Sequence, residues 1–389
     1  MTRPAYANPV HVLLGSPVPV RVPVRVPVRV SVPETVPVSY ASASSSLGPA
    51  RRRGARCLAI ALTLTLCVGV PIFSTSARAG VPEALTEHVL PGFQTFAVQA
   101  RALAVNATAD CTAAGVRPSF HNTFDAWMGV SHLGFGPLDT DGRGLAIAFW
   151  PDKRGMVGST VAALLRNEDS AVGNADQFSE VSVAGRGLMA LERLLFDPDY
   201  AEYGRDSYTC RLVQALAVDL SRMAAATTAD WQEQARLMQT AGQAGNVVYL
   251  SEDEPAQQLY TALLSGLEWT ADQRLGRPMG SFERPRPERA EARRSGRSLR
   301  NVLLNLRALE HLAEALAEGP LPVSEAAFTD AIIQAEDLDD PVFAGVADPS
   351  GRLKVEILQQ RVRAAQEAAK VEIGRQLGVS VGFNSADGD

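Results

Sequence analysis

The stretch Cys210–Met238, "CRLVQALAVDLSRMAAATTADWQEQARLM", decides the fold class. Its apolar residues recur at steps of three and four, which is the period of an amphipathic helix. Five other long segments after residue 80 show the same period, and alternating, β-branched runs are nearly absent there. The sequence therefore predicts an all-α protein built from antiparallel helical bundles.

The 310 residues from Gly80 onward are enough for one large domain or two modest ones. We predict a first bundle over 81–228, a second over 229–378 and a flexible tail over 379–389. A basic, proline-containing loop, "RLGRPMGSFERPRPERAEARRSGRS", interrupts the second bundle.

The first 79 residues have the composition of a leader rather than of a folded domain. Residues 51–79 run from arginines through an apolar centre to Ala-Arg-Ala, the order of a signal peptide cleaved after Ala79. The apolar run is too short for a permanent membrane span. A lipid anchor on Cys67 is less favoured because the bulky Leu66 precedes it. Residues 1–50 form a low-complexity Pro/Val/Arg segment, either a start assigned too early or a proline-rich arm.

Charge and cysteine content limit the partners. From Gly80 onward, 28 basic and 42 acidic residues give a formal charge of −14, which argues against nucleic acid and anionic membranes as partners. Cys111 and Cys210 are the only cysteines left after cleavage, and one disulfide is the simplest pairing in an exported chain. A metal-binding role for them is the alternative, although neither has a second cysteine or histidine at ligand spacing.

Glu192 stands out because its helical neighbours Leu188, Met189, Leu195 and Phe196 are all apolar. A carboxylate in such surroundings must be protonated, hydrogen-bonded or bound to a cation. Two interpretations follow. Glu192 either pairs with an arginine of another helix, or serves as a metal-binding or catalytic carboxylate.

Two further groups of residues are candidates for ligand binding. His121, Asp125 and His132 share one helix face, and His121 with Asp125 could hold a metal ion. His132 lies about 16 Å from His121 along a helix and needs another partner. Ordinary hydrogen bonding is the alternative for all three. Seven arginines form the second group and suit an anionic ligand, or else serve as a solvated loop and counterions for acidic residues; they are Arg284, Arg286, Arg289, Arg293, Arg294, Arg297 and Arg300.

Three segments resemble the imelysin-like proteins. "GLMALERLLF" is similar to the family's G-x-H-x-x-E segment, with matches at Gly187 and Glu192. "TFDAWMGVSHLGFGPLD" is similar to a first-bundle helix of the family, and "RRSGRSLRNVLLNLRAL" to its Ser-x-x-Ser-Leu stretch. The matching residues in these two are Trp127, Phe135, Gly136, Pro137, Ser295, Ser298 and Leu299.

The resemblance implies a duplicated four-helix arrangement, export to the periplasm of a bacterial cell envelope, and a role in iron acquisition. The implied ligand is a metal ion, iron above all, or a small anionic chelate, and envelope uptake proteins are the implied partners. The family also carries a peptidase label. Met189 departs from the family, because it stands where the motif has histidine. Thioether sulfur is a poor ligand for Fe(III) or Zn(II) and cannot act as a base.

We therefore predict an exported ligand-binding protein rather than an enzyme. Glu192 is the central polar group, with Gly187 and Met189 beside it and Arg297 and Ser298 as its partners. A metal-dependent peptidase is one alternative. A structural protein with a decayed site is another, and it predicts Glu192 tied to an arginine with no cavity beside it.

Overall fold

The computed structural model describes residues 80–378, and Cys210–Met238 lies within one helix of 32 residues, Tyr208–Gln239. The hydroxyl of Ser207 caps this helix by accepting a hydrogen bond from the backbone N–H of Cys210. The apolar positions that recur every three or four residues are buried, among them Leu212, Leu216 and Leu220. The helical period seen in the sequence is thus the period of its buried face.

Nine helices of ten or more residues organise the described part of the chain, and no strand occurs within residues 80–378. The all-α prediction is confirmed. In chain order the helices are α1 (Leu90–Ala109), α2 (Ala113–Met128), α3 (Met156–Asn167), α4 (Gly187–Phe196), α5 (Tyr208–Gln239), α6 (Asp253–Trp269), α7 (Ser298–Leu316), α8 (Pro322–Glu336) and α9 (Pro349–Gln376).

Eight of these helices pack in two groups of four, and α3 packs against α4. Helix α1 packs against α2 and α5, and α4 packs against α2 and α5. In the other group α9 packs against α6 and α8, and α7 packs against the same two helices. Helix α7 also contacts α2, so the groups touch, and all described residues belong to one compact unit. The predicted boundary between residues 228 and 229 falls inside the unbroken helix α5.

Two π-helical segments extend the main helices. Ala84–Val89 leads directly into α1, and Thr270–Leu275 continues α6. A π-helix accommodates an extra residue per turn and so turns side chains to directions that an α-helix would not give them. The first segment carries His88 and the second carries Arg274, and both side chains are buried polar groups.

A disulfide joins Cys111 and Cys210, as the sequence predicted, and ties the turn between α1 and α2 to the first turn of α5. The bond closes a sequence separation of 99 residues. A loop of that length restricts the unfolded chain strongly, and the expected stabilisation is about 4 kcal/mol.

The low-complexity segment over 1–50, the signal peptide over 51–79 and the tail over 379–389 lie outside the described residues. Within residues 80–378, none of the helices combines the length and the apolar character needed to cross a membrane.

Candidate functional site

Glu192 lies on α4 and is 1% exposed. Its Oε1 accepts two hydrogen bonds from Ser295, one from the backbone N–H and one from the hydroxyl, each 2.9 Å long. The same hydroxyl lies 3.0 Å from the carbonyl oxygen of Ala292. Within residues 80–378, Oε2 accepts no hydrogen bond and Glu192 forms no ion pair. One carboxylate oxygen is therefore satisfied and the other is available.

The pKa of Glu192 is raised, because burial disfavours the charged carboxylate. The two hydrogen bonds from Ser295 and the positive charges of Arg294 and Arg293 act in the opposite direction and offset part of this effect. The site thus holds a carboxyl group that is easier to protonate than an exposed glutamate.

Glu192 and Met189 line a polar cavity of about 400 Å³. Helices α3 and α4 form one wall, and the basic loop before α7 forms another. Charged side chains dominate the lining, which includes Asp152, Glu192, Arg193, Arg277, Glu288, Arg289, Arg293 and Arg294. This arrangement differs from the sealed Glu–Arg pair expected of a decayed site.

The arginines of this cavity fall into two classes. Arg193 and Arg294 both pair with Asp197, at 3.2 and 2.9 Å. Arg277, Arg289 and Arg293 have no carboxylate partner within residues 80–378. The cavity therefore contains guanidinium groups whose charge the surrounding protein does not neutralise.

The backbone on both sides of Glu192 is unusual. Gly187 starts α4 with φ +64°, and a Cβ atom there would lie 2.1 Å from the carbonyl oxygen of Ala146. Only glycine fits this close approach between the start of α4 and the short helix Arg143–Ile147. On the facing loop Ala292 also has positive φ, 47°, and is buried. These two turns bring Glu192 and Ser295 together.

The predicted partners of Glu192 are wrong in detail. Arg297 donates hydrogen bonds to Asp125 and to His121, the latter at 3.0 Å to Nδ1, and Ser298 donates to the carbonyl oxygen of Glu291. The hydrogen bonds of both side chains therefore go to residues other than Glu192. Ser295, three residues earlier in the same Ser-x-x-Ser stretch, makes the contact instead.

The predicted metal pair of His121 and Asp125 is also contradicted by its surroundings. Arg300 and Arg297 both donate hydrogen bonds to the Asp125 carboxylate. The pKa values of Asp125 and His121 are both lowered; hydrogen bonds from the two arginines lower that of Asp125, and burial lowers that of His121. The two guanidinium groups use the carboxylate oxygens of Asp125 as hydrogen-bond acceptors, and their positive charges repel a cation. The cluster instead connects α2 to α7.

A chain of three histidines lies elsewhere in the molecule, and no sequence motif indicates it. His88 Nε2 lies 2.9 Å from Nε2 of His132, and His88 Nδ1 lies 3.0 Å from Nδ1 of His311. The two contacts use different nitrogens of His88, so the three rings form a line rather than a shared metal site. His88 and His132 are buried, whereas His311 is exposed.

Comparisons with known proteins agree with the sequence motifs. The imelysin family model matches residues 89–369. The crystal structure of an imelysin-like protein from Psychrobacter arcticus 273-4 is similar, with a TM-score of 0.63 and 21% sequence identity, over 78% of this chain and 96% of that chain. No curated protein matches the sequence.

The family match spans most of the chain, so this protein belongs to the imelysin family. The structural likeness supports the fold.

Proposed function

We propose that this protein is an exported ligand-binding protein of the cell envelope that acts in iron or metal acquisition, with the Glu192 cavity as its binding site. The observation that carries the proposal is the open polar cavity beside a buried carboxyl group whose second oxygen is free. Burying Glu192 disfavours its charged form, and a bound ligand would offset that cost.

Export is supported by the order of charged, apolar and small residues over 51–79 and by the Cys111–Cys210 disulfide. Disulfides of this kind persist in oxidising compartments such as the bacterial periplasm. Production of the full chain in a bacterial host should yield a protein that begins at Gly80. Amino-terminal sequencing of the periplasmic fraction tests this, and a retained leader would contradict it.

Binding without catalysis is the simpler role for this cavity. A metal-dependent peptidase needs a metal with an activated water and a base beside it. Met189 supplies neither a suitable ligand nor a base, and in the part of the chain that the structure describes Glu192 accepts hydrogen bonds from Ser295 alone.

The function is tested by calorimetric titration of the full chain with Fe(III)-citrate, Fe(II), Zn(II) and Cu(I). We expect binding of at least one of these, weakened about tenfold or more in Glu192→Ala. Glu202→Ala, at an exposed position outside the cavity, is the matched control and should bind as the wild type does. No binding of any of them, or equal binding by Glu192→Ala, would overturn the proposal.

A further inference from the structure

The family motif implies a metal ion held by a histidine and a glutamate one helical turn apart, and the residues of this chain do not fit that ion. Met189 offers a soft thioether, and Glu192 offers one free carboxylate oxygen. Between residues 80 and 378, no three His, Cys, Asp or Glu side chains are grouped so that they could hold a metal. The cavity needs another interpretation.

The unpaired arginines point to the charge of the ligand. Arg277 is half-buried, its Nε is buried without a hydrogen-bond partner, and its guanidinium lies 6.0 Å from the ring centroid of Trp150. Burial and the nearby positive charge of Arg289 both lower the pKa of Arg277. The exposed guanidinium of Arg289 is thus near enough to repel that of the half-buried Arg277, and a bound anion would relieve this repulsion.

The carboxylates of the cavity do not neutralise this charge. Asp152 accepts hydrogen bonds from the backbone N–H groups of Met156 and Val157, at 2.8 and 2.9 Å, and so caps α3. Glu288 pairs with Arg286 at 3.4 Å. Five arginines and three carboxylates line the cavity. Of these three carboxylates, Glu192 is the one that accepts hydrogen bonds from the facing loop, at Ser295.

We propose that the cavity recognises a small hydroxypolycarboxylate, and that any metal enters as a chelate of that anion rather than on protein ligands. This inference rests on the proposed binding function and names its ligand class. Arg277, Arg289 and Arg293 bind the ligand carboxylates through their forked N–H groups. Glu192 Oε2 accepts a hydrogen bond from the ligand hydroxyl while Ser295 holds Oε1.

The volume agrees with this ligand class. A cavity of about 400 Å³ lies at the small end of ligand sites and suits a compact anion rather than a peptide. The protein carries a net negative charge, so a local excess of arginine also provides the attraction that an anion needs to reach the site.

The test is calorimetric titration of the full chain with metal-free citrate, with tricarballylate, which lacks only the hydroxyl, and with Zn²⁺ or Fe²⁺ alone. We expect citrate to bind, tricarballylate to bind about fivefold more weakly, and the bare ions not to bind. The double variant Arg277→Gln/Arg293→Gln should bind citrate about 30-fold more weakly because it loses charged hydrogen bonds. Arg222→Gln, an exposed arginine paired with Asp176, is the control.

A second variant isolates the role of Glu192. Glu192→Gln keeps the shape and an oxygen for Ser295 but presents an N–H₂ group where Oε2 was. We expect this variant to bind citrate and tricarballylate equally. Binding of Zn²⁺ or Fe²⁺ alone that is lost in Glu192→Gln, with no response to citrate, would overturn the inference and leave the proposed function standing. Silence with every probe used in both experiments would overturn both.

Discussion

Two polar clusters of this protein differ in how far their buried polar atoms are hydrogen-bonded within the protein. Within residues 80–378, the carboxyl group of Glu192 receives hydrogen bonds at one oxygen only, and three of the five arginines that line its cavity have no carboxylate partner. In the histidine chain the rings of His88, His132 and His311 satisfy one another. The first cluster keeps hydrogen-bonding capacity for a ligand. The second uses nearly all of it within the protein.

The geometry of the histidine chain fixes its tautomers. Nδ1 of His132 is buried and has no hydrogen-bond partner. An unpaired lone pair is less costly there than an unpaired N–H, so the proton of His132 lies on Nε2. His132 then donates to Nε2 of His88, and His88 donates from Nδ1 to His311. Burial and the nearby His311 lower the pKa of His88 to about 3, so His88 is neutral at pH 7, and burial also lowers the pKa of His132.

A substitution at the start of α4, which forms one wall of the Glu192 cavity, should have the largest effect on the unfolding free energy. Gly187→Ala places a methyl group 2.1 Å from the carbonyl oxygen of Ala146 at a positive φ, and we expect a loss of about 4 kcal/mol of unfolding free energy. Urea denaturation measures it. Gly158→Ala is the matched control in the same wall. Its methyl group meets nothing closer than 3.7 Å, so it should not destabilise. Equal stability of both variants would contradict this account of Gly187.

The histidine chain should make the protein sensitive to acid. The folded pKa of His88, about 3, lies below the unfolded value of 6.5. The contribution of His88 to the free energy of unfolding is therefore complete above pH 6.5. As the pH falls toward 3, this contribution is lost by about 1.4 kcal/mol per pH unit. We expect the unfolding free energy of His88→Gln, measured by urea denaturation, to depend less steeply on pH than that of the wild type between pH 6.5 and pH 4. Parallel curves for wild type and variant would show that His88 does not titrate in this way.

Ser295→Ala sharpens the comparison at the Glu192 cavity. It removes the hydroxyl hydrogen bond to Oε1 and leaves the bond from the backbone N–H, so we expect a loss of about 1.5 kcal/mol at neutral pH. The pKa of Glu192 should rise further, and citrate affinity should fall. Ser298→Ala removes a hydrogen bond to a backbone carbonyl outside the cavity and should leave citrate affinity unchanged. Calorimetric titration of both variants with citrate measures the two affinities, and equal affinities would contradict the role given to Ser295.

The smallest effect is expected at Ala292, which holds a left-handed backbone conformation in the loop that faces Glu192. Glycine adopts this conformation without the strain that a Cβ atom causes, so Ala292→Gly should raise the unfolding free energy by up to about 1 kcal/mol. Thermal unfolding measures the change. A clear loss of stability would mean that the methyl group of this buried residue contributes more by packing than it costs in strain.

Much of the fold was predictable because it depends on local sequence. The three- and four-residue period of α5 predicted its buried face, and the pairing of Cys111 with Cys210 followed from their number in a chain that we predict to be exported. The family motif identified Gly187 and Glu192. The separate Ser-x-x-Ser-Leu stretch contained Ser295, but spacing alone did not reveal which serine reaches the carboxylate, because Ser298 is already the first residue of α7.

Contacts between distant segments were not predictable. Ser295 lies 103 residues from Glu192, Arg297 lies 172 residues from Asp125, and His311 lies 223 residues from His88. The pattern of His121 and Asp125 on one helix face suggested a metal pair, since both are good ligands. Arg297, which directly precedes α7, and Arg300 of α7 donate hydrogen bonds to Asp125 instead, and nothing in the helix α2 sequence indicates this.

The sequence by itself determined the helices, the disulfide and the apolar setting of Glu192, because each depends on residues a few positions apart or on a simple count. Only the tertiary structure decided which groups satisfy the buried polar atoms and which remain free. That decision depends on where whole helices pack, to within an ångström, and hydrogen bonds and ion pairs are lost over such distances. Within residues 80–378, the packing therefore left Glu192 one oxygen without a hydrogen bond beside an open cavity, and joined the three histidine rings to one another.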